Sequence, residues 1–139
     1  MNIEDFERQL VTALLAGDDP LLDTLRKQYE AASVRGREQN ATGFVTRFDV
    51  PETAPAIDRK LLHLDDLQVQ LEGASTPADA SLHIHNGRIK SLECFVYDGE
   101  FPSAPVITSA WYYGSEPHTA ITAELMAERD VESVLEDED

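Results

Sequence analysis

Leu82-His83-Ile84-His85-Asn86-Gly87-Arg88-Ile89-Lys90-Ser91-Leu92 reads as two strands folded about a two-residue turn. Asn-Gly supplies both positive-φ residues of a type I′ turn, whose twist matches that of the strands it joins. The register sets His85 opposite Arg88, Ile84 opposite Ile89 and His83 opposite Lys90. Ile84 and Ile89 then share the core face, and His83, His85, Arg88 and Lys90 the other. Carried on to Tyr97, strict alternation groups Ser91, Glu93, Phe95 and Tyr97 with Ile89, and Leu92, Cys94 and Val96 opposite. Apolar residues fall on both faces, so either the far face is covered or a bulge resets the alternation near Leu92.

Upstream of the hairpin, Leu67, Val69 and Leu71 alternate with Asp66, Gln68, Gln70 and Glu72, as in a strand with one wet face. Phe44, Thr46, Phe48 and Val50 alternate with Val45, Arg47 and Asp49 until Pro51, a second such strand. Residues 51–64 hold Pro51 and Pro55 and read as a long connection with one helical turn. Downstream, Val106 to Tyr113 has the composition of a fifth, edge strand that Pro117 breaks. Thr119 is expected to cap a short helix carrying Ile121, Leu125 and Met126.

At the N-terminus the period changes to that of helices. Ile3, Phe6, Leu10, Ala13 and Leu14 form one stripe that stops at Gly17. Asp19 as N-cap and Pro20 at the first helical position open a second, with Leu21, Leu22, Leu25 and Tyr29 running to about Ala32. The fold class is therefore α+β: two N-terminal helices packed on one face of a four- to five-stranded antiparallel sheet. Residues 1–123 form the domain, and residues 124–139 an acidic tail, partly helical or disordered.

The chain has 139 residues, 27 of them acidic against 11 basic, for a net charge of −16. That charge repels phosphate backbones and anionic lipid and argues against nucleic-acid or membrane partners. A basic protein is the partner it favours. No apolar run approaches the ~18 residues of a spanning helix, and Glu4, Asp5 and Glu7 stand where a secretory signal would be positive. The expected location is the cytoplasm. One cysteine, Cys94, excludes an internal disulfide framework.

Leu82-x-Ile84-x-x-Gly87-x-Ile89-x-x-Leu92-Glu93-x-Phe95-x-Tyr97 resembles the C-terminal signature of a family of small, uncharacterised bacterial proteins with two N-terminal helices and a short antiparallel sheet. Leu14-Leu15-Ala16-Gly17-Asp18-Asp19-Pro20, followed by Leu22, Leu25-Arg26 and Gln28, is similar to that family's start. The resemblance covers about residues 6–102. It implies a fold more than an activity, and some relatives look like immunity partners of bacterial toxins. Many relatives carry a Cys-Gly-Cys-type segment after the second helix. Residues 36–43 of this chain hold no cysteine, so a metal or redox role tied to that segment does not transfer.

No nucleophile motif, phosphate loop or dinucleotide fingerprint is present, and the sequence implies no cofactor. The leading expectation is a non-enzymatic protein-interaction module, an immunity-type protein that binds a basic partner. Trp111, Tyr112 and Tyr113 are its candidate anchors, since Trp and Tyr are over-used at interfaces. The alternative is a small enzyme or small-molecule-binding protein with a helix–sheet pocket around Glu93 and Tyr97, Glu93 being a mid-strand carboxylate with Arg47 as counter-ion. A second alternative is a metal site at His83 and His85, whose spacing shares a strand face but whose expected neighbours, Arg88 and Lys90, repel a cation. His63 and His118 could join such a site only through folding.

Overall fold

A computed structural model describes residues 2–136. Two helices, α1 (Ile3–Leu14) and α2 (Pro20–Ala31), precede the strands β1 (Ser33–Asn40), β2 (Gly43–Asp49), β3 (Leu61–Leu71), β4 (Ala78–His85), β5 (Arg88–Val96) and β6 (Ile107–Tyr112). The short helices α3 (Ala123–Ala127) and α4 (Val131–Val134) follow. The strands form one antiparallel sheet in the order β1-β2-β5-β4-β3-β6. The architecture is α+β as expected, with six strands instead of four or five.

The strand missed in the sequence is β1. It lies at the sheet edge, and seven of its eight residues are exposed. With neither face buried, nothing forces its side chains to alternate in polarity. The first half of β3 was hidden for another reason. A bulge between Leu64 and Leu67 shifts the register, so Leu62 and Leu64 share the buried face with Leu67, Val69 and Leu71. Even and odd positions serve the same face on either side of the bulge, and simple alternation fails there.

The Asn86-Gly87 turn forms, with φ of 52° and 80°. Ile84 pairs with Ile89 as expected, but His83 pairs with Ser91, which leaves Lys90 as the bulge. The reset turns Leu92, Cys94 and Val96 into the core beside Ile89. Glu93, Phe95 and Tyr97 go to the opposite, outer face. This corrects the placing of Glu93 on the Ile89 face.

The core lies between the inner face of the sheet and the two helices. Phe6, Leu10, Val11, Ala13 and Leu14 enter it from α1, and Leu22 and Leu25 from α2. Phe6, Phe44 and Phe101 meet edge to face, with centroids 5.7 to 6.1 Å apart. Asp19 caps α2 by accepting from the Leu21 amide, and Pro20 stands at its first turn. Buried Gln28 ties α2 to the hairpin. Its amide nitrogen donates to the carbonyls of Pro55 and Gly87, both at 2.8 Å, and its oxygen accepts from the Ile89 amide at 2.9 Å.

The last described segment also packs on the body. Thr122, not Thr119, caps α3 by accepting from the Leu125 amide at 3.2 Å. Arg129 is 6% exposed. It donates to the carbonyls of Leu14 and Ala16 and closes a two-pronged ion pair on Asp66. The α1 C-terminus, which has no basic residue in its last turn, thus receives its cation from far along the chain. Asp137, Glu138 and Asp139, the end of the acidic tail, lie outside the described residues. No helix among the described residues is long and apolar enough to cross a membrane.

Candidate functional site

The outer face of the sheet gathers two groups of side chains. The first is built on β3, β4 and β5. The β3–β4 ladder sets His63 directly opposite His83, and Leu61 opposite His85. The His63 and His83 rings have centroids 4.3 Å apart, and His63 stacks on His85 at 6.3 Å. One ligand atom from each of the three lies within 4.8 Å of the others, and all three residues are half-buried. Glu93 Oε2 stands 3.1 Å from His83 Nε2, and Ser81 Oγ also lies 3.1 Å from that nitrogen. Burial lowers the His83 pKa, Glu93 works against that shift, and His63 and His85 add to it.

The second group is aromatic and centres on Gln68 of β3. Its amide oxygen accepts from Trp111 Nε1 at 2.9 Å. Its amide nitrogen donates to Asp79 Oδ1 at 2.8 Å and to the Tyr97 hydroxyl at 2.9 Å. The Tyr113 hydroxyl reaches the same Asp79 oxygen at 3.4 Å. Tyr97 is 62% exposed and Tyr113 56%. The Tyr97 hydroxyl is held above its ordinary pKa, first by its bond to Asp79. That of Tyr113 is pushed up to about 12 by local desolvation and then by the Asp79 charge. Both remain neutral donors at physiological pH.

Of the residues singled out from sequence, Glu93, Tyr97, Trp111 and Tyr113 share this outer face. Tyr112 does not, because alternation along β6 sends it inward. It is 1% exposed, its hydroxyl donates to the Ala13 carbonyl at 2.8 Å, and the Arg129 guanidinium lies 5.3 Å from its ring centroid. Arg47 is not the counter-ion of Glu93. It pairs with Glu38 across the β1–β2 ladder at 2.6 Å. Arg88 donates to the carbonyls of Glu52 and Ala54, and Lys90 is exposed at the bulge.

The sequence puts Gln68 on a wet strand face and allows His63 to reach the other histidines only through folding, but it singles out neither as a site residue and does not place Asp79. The signal for His63 was its place between Leu62 and Leu64, which the register shift at residues 64–67 obscured. Nor does the sequence mark the buried carboxylate Glu7, which is 3% exposed and accepts from Arg37 and Thr46. Shallow clefts open among the described residues. One, of 270 Å³, is lined by Glu4, Glu7, Arg8, Tyr29 and Arg37 among others.

The fold and the face define an antiparallel sheet backed by helices, with an aromatic and imidazole-rich outer surface. No family model, curated protein or solved structure matches this chain.

Proposed function

We propose that the chain is a non-enzymatic binding module of the cytoplasm, which docks a basic protein on the outer face of its sheet in an immunity-type role. The observation that carries this reading is the exposure of Tyr97 and Tyr113 within a hydrogen-bonded set that also fixes Trp111. Aromatic rings held in place before contact lose little entropy on binding and act as anchors. The net charge of −16 steers a cationic partner and disfavours nucleic acid. A helix–sheet pocket around Glu93 has less support, because Glu93 stands on the outer face beside His83.

The test is capture of partners from the native host by the immobilised chain at low and at high salt. The expected partner is basic, is lost as salt rises, and is lost at low salt when Tyr97, Trp111 and Tyr113 are replaced by alanine. Capture indifferent to both salt and those substitutions would overturn the proposal.

A further inference from the structure

Three of the four histidines of the chain converge on one spot of the outer face, although they come from two strands and 20 or more residues separate His63 from the others. We propose that His63, His83 and His85 bind one divalent transition ion of the zinc, copper or nickel class, with Glu93 as a positioning residue. This goes beyond the docking reading, and failure of either leaves the other standing.

Distance supports the site first. Nitrogens around a tetrahedral ion, with bonds of about 2.0–2.1 Å, lie roughly 3.3 Å apart. The three ligand atoms already lie within 4.8 Å of one another, so side-chain rotation closes the gap without moving a strand. The ladder that opposes Leu62 to Ile84 and His63 to His83 fixes the backbone positions from which the rings project. Donors on paired strands hold a geometry better than donors on loops.

Chemistry then selects the ion. Imidazole suits zinc, copper and nickel, whereas magnesium and calcium seek carboxylate and carbonyl oxygen. Glu93, 3.1 Å from His83 Nε2, supplies the carboxylate that orients a ligating imidazole and offsets the cation's charge. The two cations that argued against such a site from sequence are accounted for. Arg88 donates to the carbonyls of Glu52 and Ala54, and the bulge takes Lys90 out of register with His83, which pairs with Ser91 instead. All three histidines keep partial exposure, so an ion has a path in and a coordination position is left for water or for a group of a partner.

The experiment uses the full, untagged chain stripped of metal by chelator. Cobalt(II) is titrated in while the visible absorption is followed, and zinc affinity is measured by competition with a chromophoric chelator. One equivalent should bind. His63→Ala, and the double variant His83→Ala with His85→Ala, should abolish stoichiometric binding, and Glu93→Gln should weaken it by about 10–100-fold. His118→Ala, whose imidazole pairs with Glu128 elsewhere, should bind as the unaltered chain does. Imidazole nitrogen resonances of the unaltered chain provide a readout that needs no variant: zinc should shift three histidines and spare His118. No stoichiometric binding, affinity unchanged in the His63→Ala chain, or zinc shifting His118 in place of the other three would each overturn the proposal.

Discussion

Arg37 of the edge strand β1 closes a two-pronged ion pair on Glu7 of α1, Nε to Oε2 at 2.8 Å and Nη2 to Oε1 at 2.7 Å. The Thr46 hydroxyl donates to the same carboxylate from β2. One buried acid therefore joins a helix to two strands. The partners differ in exposure, the Glu7 side chain being 4% exposed and that of Arg37 27%. Arg37→Ala leaves a buried charge with only a hydroxyl partner, which costs about 3–5 kcal/mol. Glu7→Gln removes that charge and lets Arg37 turn to water, for about 1–2 kcal/mol. Urea unfolding of the two variants should give that order.

Gln28 serves three backbone groups at once, on the 51–60 connection and on the hairpin. Gln28→Leu fits the space but leaves the Pro55 and Gly87 carbonyls and the Ile89 amide without their side-chain partner. The Gly87 carbonyl keeps the Ile57 amide as donor, so two groups are left unmet, and at about 1–3 kcal/mol each, partly relieved by rearrangement, a loss of about 3 kcal/mol is expected in chemical denaturation. Gly87→Ala should be comparable. The residue needs φ of +80°, and a Cβ there would run into the Ile57 carbonyl oxygen.

These two interactions mark where the sequence could be read and where it could not. The hairpin, both helices and the Asp19-Pro20 start are local: a turn pair, a cap and a periodic stripe each state their conformation within a few residues. The bulges at Lys90 and at residues 65–66 are not, and each one inverts which face every later residue serves. Alternation without the Lys90 bulge puts Glu93 on the Ile89 face, and alternation without the 65–66 bulge puts His63 in a connection. Glu7 reads like its neighbours Glu4 and Asp5, an acid near a helix start, because Arg37 and Thr46 are brought to it only by the sheet. The aromatic cluster is legible as composition, but which of Trp111, Tyr112 and Tyr113 faces inward depends on the β6 register against β3.

Arg129 shows the same dependence at the other end of the chain. It anchors the last described segment to the α1–α2 corner through Leu14 and Ala16 and to β3 through Asp66. Arg129→Met should cost about 3–5 kcal/mol, since it strips Asp66 of its partner and leaves buried carbonyls unmet. Protease digestion under native conditions should then cut first within residues 119–136, while the sheet stays protected from hydrogen exchange.

Cys94 lies on the core face of β5 with its thiol pushed up by burial. At mildly alkaline pH it should be inert to a disulfide reagent in the folded chain and react fully in denaturant. Its slow modification in the native state should follow the opening free energy measured by hydrogen exchange at β5, because the residue is 0% exposed on the core face of that strand.

Alkali should unfold this protein in a defined window. Tyr29, Tyr97, Tyr112 and Tyr113 all ionise above the ordinary phenol value, and Tyr112 is pushed up to about 12, chiefly by burial and against the pull of Arg129. A raised folded-state pKa means that the unfolded chain loses its proton first. The stability linked to Tyr112 is therefore complete below about pH 10 and drains away as pH climbs through about 12. A two-unit shift corresponds to about 2–3 kcal/mol for a side chain this buried. Tyr112→Phe removes both the titration and the bond to the Ala13 carbonyl. It should be less stable by about 1 kcal/mol at neutral pH, from the lost hydrogen bond, yet decline less steeply above pH 10. Parallel urea titrations from pH 8 to 11.5, with phenolate absorption followed in the same samples, will show whether the two stability curves converge. Curves that stay parallel would mean that another group governs the alkaline transition.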